Sequence, residues 1–199
     1  MDAKIARHLS KDPILKRLID HSPPPSFRKS AGLYPDLLRS IIGQQLSGKA
    51  AETIHGRFVG LFKDEKPLAS KLVEMDIDTL RSVGLSRQKA SYLHNVSEFF
   101  LKEKIEHSDL DNMTDDAIVD YLSQIKGVGR WTVEMILMFS LKRPDVLPLD
   151  DLGIRNGMVA QYGIEETGRA LKLKMVEIAE NWRPYRSYGS WYMWRSLEV

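Results

Sequence analysis

Asp150 and Asp151 stand side by side after Val146-Leu147-Pro148-Leu149, where the sequence predicts that a helix begins. A carboxylate at a helix start meets free main-chain amides and the positive end of the helix dipole, which favour its charged form. Such a group can stabilise a cation that develops during a reaction, and it can equally be only the helix cap. On residue types alone the pair admits both roles. Upstream, Lys126-Gly127-Val128-Gly129-Arg130 suggests different chemistry. Its two glycines favour a tight turn with positive φ and main chain open on one side, and its two basic side chains flank that turn. A phosphate is the natural ligand: it can approach the bare backbone at Gly127 and Gly129, with Lys126 and Arg130 beside it.

These residues need helices to hold them. Ala117, Ile118, Tyr121, Leu122 and Ile125 recur at helical spacing, and Thr114 followed by Asp115 and Asp116 makes an N-terminal cap, so a helix is predicted to end near Gln124. A second helix, Arg130 to Leu141, carries Trp131, Val133, Met135, Ile136, Leu137, Met138 and Phe139, apolar nearly all round and hence buried. Elsewhere the pattern predicts two short N-terminal helices, the second opened by Pro13, and an extended connector across the three prolines between Ser22 and Ser26. Helices follow over Pro35 to Ile42 and Ser47 to Phe62, separated by Gly43-Gln44-Gln45-Leu46. Short helices lie near Ala69 to Glu74 and Ile77 to Val83, and a long one is capped by Ser86. Arg87 and Lys89 near its start read as solvated charge with the option of touching a phosphate. The last helices run from about Thr167 to Asn181 and Tyr185 to Ser196. Val146 to Leu149 is too short and proline-broken to start a sheet, and the chain is expected to be all-α.

Composition narrows the function. A net charge of only +2 means that any nucleic-acid affinity must come from a local arrangement of Lys and Arg. With no cysteine there is no disulfide, thiolate zinc site or iron-sulfur cluster, and the five histidines show no ligand spacing. No apolar run approaches a membrane span, and the polar start Met1-Asp2-Ala3-Lys4 does not read as a secretory signal. The expected location is intracellular: cytoplasm or nucleoid in a prokaryote, nucleus in a eukaryote.

Ile125-Lys126-Gly127-Val128-Gly129, followed by Pro148 and an aspartate at a helix start, resembles the helix-hairpin-helix superfamily of DNA glycosylases. Within it, Gly129-Arg130-Trp131-Thr132, Asp151-Leu152-Gly153-Ile154 and the run from Trp182 to Tyr188 resemble the 3-methyladenine DNA glycosylase II branch. The resemblance implies two helical lobes, 35–145 with the helix-hairpin-helix at about 115–141, and 1–34 plus 146–199, with an active-site cleft between them. It implies base excision repair on double-stranded DNA, with alkylated purines, 3-methyladenine first, flipped out and their N-glycosidic bond hydrolysed to leave an abasic site. A glycosylase for deaminated or oxidised bases, or a non-catalytic DNA-binding module, are the alternatives on the same scaffold.

The resemblance also assigns residues. The branch's catalytic aspartate precedes an apolar residue three positions on, which fits Asp151 with Ile154 and not Asp150 with Gly153, leaving Asp150 as a cap or supporting group. Trp131 and Tyr185 match aromatic base-pocket positions, although the branch often has Trp in place of Tyr185 and an aromatic in place of Met135. Leu46, with Gln45 beside it, matches the wedge that replaces an extruded nucleotide, and Ser47 lies near the minor groove. Relatives that also cut the strand carry a lysine where this chain has Trp131, so no lyase activity is expected. The carbonyls of Ser123, Ile125 and Val128 match those that bridge a Na+ or K+ ion to DNA phosphate; no catalytic cofactor is implied, and the protein is expected to act as a monomer without membrane association.

Overall fold

The computed structural model describes all residues except Arg28, Ser47, Glu198 and Val199. Among the described residues there are twelve α-helices and no strand, the all-α class expected. In chain order they are α1 (Ala3–Leu9), α2 (Pro13–His21), α3 (Leu33–Gly43), α4 (Gly48–Val59), α5 (Ala69–Leu72) and α6 (Ile77–Ser82). Then come α7 (Arg87–Glu103), α8 (Asp115–Leu122), α9 (Arg130–Met135), α10 (Leu152–Tyr162), α11 (Gly168–Glu180) and α12 (Arg186–Arg195). None of these helices is long and apolar enough to cross a membrane. The chain divides into two compact units, one of residues 29–141 and one built from both ends, 1–28 with 142–199.

The continuous unit is organised on α7. Ser86 caps this helix by accepting from the Lys89 amide at 3.1 Å, and Ala90, Leu93, Val96 and Ser97 form its buried face. The helix packs against α3, α5 and α6, and Leu37, Leu38, Ile41 and Ile42 of α3 are all at most 1% exposed. Buried Ser97 is not left unpaired: its Oγ donates to the Leu93 carbonyl at 2.8 Å and lies 2.7 Å from the Tyr34 hydroxyl. Burial raises that phenol to a pKa of about 12. Thr114 caps α8 by accepting from the Ala117 amide. The helix expected from Arg130 to Leu141 differs from a plain α-helix: α9 ends at Met135 and continues as a π-helical turn, Ile136–Ser140, where the Leu141 amide donates to the Ile136 carbonyl. The wider turn accommodates one more residue per coil, and Ile136, Leu137, Met138 and Ser140 are all at most 4% exposed.

In the unit made of both ends, Asp12 is the tie. Its Oδ1 caps α2 by accepting from the Ile14 and Leu15 amides at 2.8 and 3.0 Å, next to Pro13 at the first helical position. Its Oδ2 accepts from the Tyr162 hydroxyl of α10 at 2.9 Å and from the Trp182 indole at 3.2 Å. Desolvation, with Asp12 beside it, drives the Tyr162 phenol far above its ordinary pKa, so it acts as a donor. Leu9, Leu15, Ile154, Met158, Met175, Trp182 and Tyr192 make the core around this carboxylate. Residues 143–146 form no strand; they are pinned to the first turn of α12, where Ser187 Oγ donates to the Arg143 carbonyl and accepts from the Val146 amide. Asp145 accepts from the Arg183 and Arg186 guanidiniums.

Replacing Asp12 by Ala removes a cap and leaves two half-buried or buried donors unpaired. The expected destabilisation is about 2–4 kcal/mol, read as a lower urea midpoint, and a loss below about 0.5 kcal/mol would show that Asp12 is not the tie.

Candidate functional site

The turn between α8 and α9 folds as its glycines require, with one exception. The Ile125 amide donates to Leu122 and the Val128 amide to Ile125, closing the hairpin. Gly127 has φ of +103°, whereas Gly129 has φ of −98° and serves as the N-cap of α9, so only the first takes the left-handed conformation expected of both. Nor is the backbone bare at Gly127: a Cβ there would lie 2.1 Å from Cγ of the Tyr92 ring, and that ring covers it. Gly129 is the open position, with nothing within 4 Å of an added Cβ. No side chain caps α9 at Gly129, and amides at such a helix start are donors of the kind an anion accepts.

The flanking charges are unequal. Lys126 is exposed and has no ion-pair partner among the described residues. Arg130 is already engaged, with its guanidinium 3.3 Å from Asp116 Oδ1 and 3.5 Å from Glu134 Oε1. The turn's carbonyls are held by residues far away in the chain. Asn95 Nδ2 donates to the Lys126 carbonyl at 3.0 Å, and Gln44 Nε2 donates to the Gly127 carbonyl at 3.3 Å and to Thr132 Oγ1 at 2.9 Å.

Gln44 opens the loop after α3, and this loop and the hairpin line one groove of about 490 Å³. Gln45 is exposed with φ of +57°, and Leu46 is 38% exposed. Ser47 lies outside the described residues. The groove also contains Ser123, Ile125 and Val128, the residues whose carbonyls were assigned to a cation. Main-chain carbonyls are donors of the hard type that alkali ions accept, and among the described residues no group of three or more His, Cys, Asp or Glu side chains forms a metal site. Lys89 corrects the expectation of solvated charge: its Nζ donates to the carbonyls of Ile42 at 2.8 Å and Gln44 at 2.7 Å, and desolvation lowers its pKa. Arg87 does fit that expectation, highly exposed and 3.8 Å from Asp78.

In the other unit, Asp151 is itself the cap of α10. Its Oδ1 accepts from the Ile154 amide at 2.9 Å and from the Trp194 indole Nε1 at 2.7 Å, and the residue is only 9% exposed. Asp150, expected as a cap or supporting group, does not cap α10 but is exposed and ion-paired with Lys172. The geometry of a cap explains the difference, because only the residue just before Leu152 can reach the amide at Ile154. Trp194 reaches Asp151 because position 153 is glycine: a Cβ there would lie 2.6 Å from the indole Cδ1.

Tyr185, half-buried ahead of α12, meets His8 edge-on at 5.4 Å and Tyr188 at 6.3 Å. Trp182 is wholly core. Trp131 is half-buried near the start of α9 and belongs to the 29–141 unit, whereas Tyr185 and Asp151 belong to the other. Sequence reasoning missed Trp194, Gln44, Asn95, Tyr92 and the inward role of Lys89. Local patterns carry no signal for pairs separated by 31 to 88 residues.

Residues 38–184 match a family described as HhH-GPD superfamily base excision DNA repair protein. The chain is 34% identical over 168 residues to DNA-3-methyladenine glycosylase 1 of Schizosaccharomyces pombe, covering 83% of this chain and 73% of that protein. It is also 34% identical to a putative DNA-3-methyladenine glycosylase of Bacillus subtilis, covering 83% of this chain and 59% of that one. The solved structure of S. pombe 3-methyladenine DNA glycosylase in complex with abasic DNA superposes with a TM-score of 0.90 at 32% identity, covering 99% of this chain and 98% of that one. A DNA-3-methyladenine glycosidase from Bacillus halodurans superposes at 0.81 with 29% identity, covering 98% and 88%.

Gly153→Ala is expected to push the Trp194 indole off Asp151. Its Nε1–H resonance in a ¹H–¹⁵N spectrum should lose the shift that a carboxylate partner imposes, and stability should fall by about 1–3 kcal/mol. An unmoved resonance would contradict the close approach.

Proposed function

Since the chain belongs to the HhH-GPD superfamily of base excision DNA repair proteins, we propose that it is a monofunctional DNA glycosylase that removes alkylated purines, 3-methyladenine first, from double-stranded DNA. The observation that carries this reading is Asp151, nearly buried at the head of α10 and oriented by the Ile154 amide and the Trp194 indole. Departure of a damaged purine leaves an oxocarbenium-like sugar. A fixed carboxylate charge stabilises that cation most where water is scarce, and the same group orients the attacking water. The resemblance to glycosylases acting on 3-methyladenine supports the substrate class.

The other roles follow residue by residue. The amides after Gly129, with Lys126 and Gly127, hold a phosphate of the strand, and Arg130 joins them by sharing its guanidinium with Asp116 and Glu134. Leu46, with Gln45 beside it, enters the duplex where the nucleotide has left, exchanging lost stacking for apolar contact. A methylated purine is cationic and electron-poor, so the faces of Tyr185 and of Trp131 attract it. Ser123, Ile125 and Val128 would hold a Na+ or K+ ion by their carbonyls when DNA is bound, and the ion supplies positive charge against the phosphate. At position 131 the side chain is an indole and offers no amine to attack the sugar, so water is the nucleophile and the strand stays intact. The protein acts as a monomer.

The test is release of free base from duplexes carrying 3-methyladenine, 7-methylguanine, 1-methyladenine, ethenoadenine or hypoxanthine. The wild type should release methylated purines without strand scission, and borohydride should trap no covalent adduct. Asp151→Asn should lower single-turnover release by about 10²–10³-fold while affinity for an abasic-analogue duplex stays within about threefold. Equal release by the variant would remove Asp151 from its role.

A further inference from the structure

The loop bearing Gln45 and Leu46 leaves α3 at a point where the helix's last carbonyls lack intrahelical donors and its dipole is negative. Two carbonyls of this region, Ile42 and Gln44, converge on one group, the Lys89 ammonium of α7, at 2.8 and 2.7 Å. An ammonium is a compact charge with three donors, and a half-buried one needs oxygen partners. The two carbonyls bracket the bend itself. Immediately after it, Gln45 takes a left-handed backbone conformation that a residue with a side chain seldom adopts, and the Leu46 amide closes the turn onto Gly43. The residue whose carbonyl Lys89 holds is also the one whose side chain reaches the hairpin, through the Gly127 carbonyl and Thr132 Oγ1. Lys89, Gln44 and the hairpin turn at Gly127 are thus joined in one hydrogen-bonded chain, and together with Gln45 they line one groove.

We propose that Lys89 is a positioning residue for nucleotide flipping: its ammonium locks the Gln45–Leu46 turn in the conformation seen here and, through Gln44, ties that turn to the hairpin, so that gripping the phosphate and inserting the wedge occur as one rigid event. This rests on the assignment of Leu46 as the wedge. Lys89 touches neither base nor sugar in this role. Its charge is spent inward, which distinguishes it from Lys126, whose charge is left for DNA.

Lys89→Met keeps a long apolar stem and deletes the charge. Three readouts are compared in wild type, K89M, K89R and L46A: affinity for undamaged duplex by anisotropy, fluorescence of 2-aminopurine beside a tetrahydrofuran abasic analogue as a signal of insertion, and single-turnover base release. K89M should bind undamaged duplex within about twofold of wild type, while insertion and release fall together by about ten- to a hundredfold, the size expected for losing two charge-assisted hydrogen bonds. K89R should recover part of both, and adding L46A to K89M should cost less than the product of the single losses. If K89M does not fold, Gln44→Ala cuts the other half of the chain and should give the same split between binding and insertion. Normal insertion by K89M or Q44A, losses that multiply with L46A, or equal loss of duplex binding would overturn the proposal. Wild type that inserts but releases no base would refute the glycosylase reading and leave Lys89 to be judged on insertion; wild type that gives no insertion signal would refute the positioning role outright.

Discussion

At Gly127 and Gly153, beside the groups proposed to carry the chemistry, aromatic rings lie where a side chain would otherwise begin. The Tyr92 ring occupies the space of a Cβ on Gly127, and the Trp194 indole occupies that space on Gly153. Each contact fixes something that a looser packing would leave to chance. At Gly127 the left-handed turn is pressed against α7, and Tyr92 is itself steadied by a 2.7 Å bond from Gln88. At Gly153 the indole comes close enough to donate to Asp151, so a carboxylate that would otherwise be only a helix cap acquires a second donor and a fixed direction. Both sites belong to helix starts or turns, where the main chain already offers unpaired amides. The glycines let side chains from elsewhere in the fold orient those amides and their ligands, and a single methyl at either position would push the ring away.

The elements of the fold were legible because their signals are local. Thr114 before an apolar period, Ser86 before the long helix and Pro13 at a first turn each report a boundary that hydrogen bonding then realises. The hairpin was legible for the same reason, since Gly127 can take a conformation that other residues avoid. Where the reading failed, the deciding partner was distant. Asp150 and Asp151 look alike in sequence, and what separates them is that one reaches the Ile154 amide and the Trp194 indole while the other reaches Lys172. Lys89 looks like a surface charge at a helix start until the carbonyls of Ile42 and Gln44 are brought to it by the packing of α3 on α7. The π-turn after Met135 leaves no mark in an unbroken apolar run, because every residue there is suited to burial whichever way it points.

Charge is used sparingly and in separate compartments. A net charge of +2 provides no general attraction for a polyanion, so individual cations must be allotted. Lys126 stays exposed beside the turn. Arg130, one helical turn from buried Glu134 and opposite Asp116, is held in a defined direction at the cost of part of its field. Arg183 and Arg186 are consumed by Asp145 in bracing the segment that leads to Asp151. This division leaves little free positive charge beside the hairpin and gives what there is a specific placement.

Asp12 links α2 to Tyr162 and Trp182, residues 150 and 170 positions further along the chain. During synthesis the first two helices therefore leave the ribosome long before the side chains that complete their surroundings exist. Residues 29–141 form an uninterrupted unit that can close while the nascent chain is still growing, and the amino-terminal helices must wait for α10 to α12. The carboxylate of Asp151 thus gains its indole partner only after α12 and Trp194 have been made, long after residues 29–141 have left the ribosome.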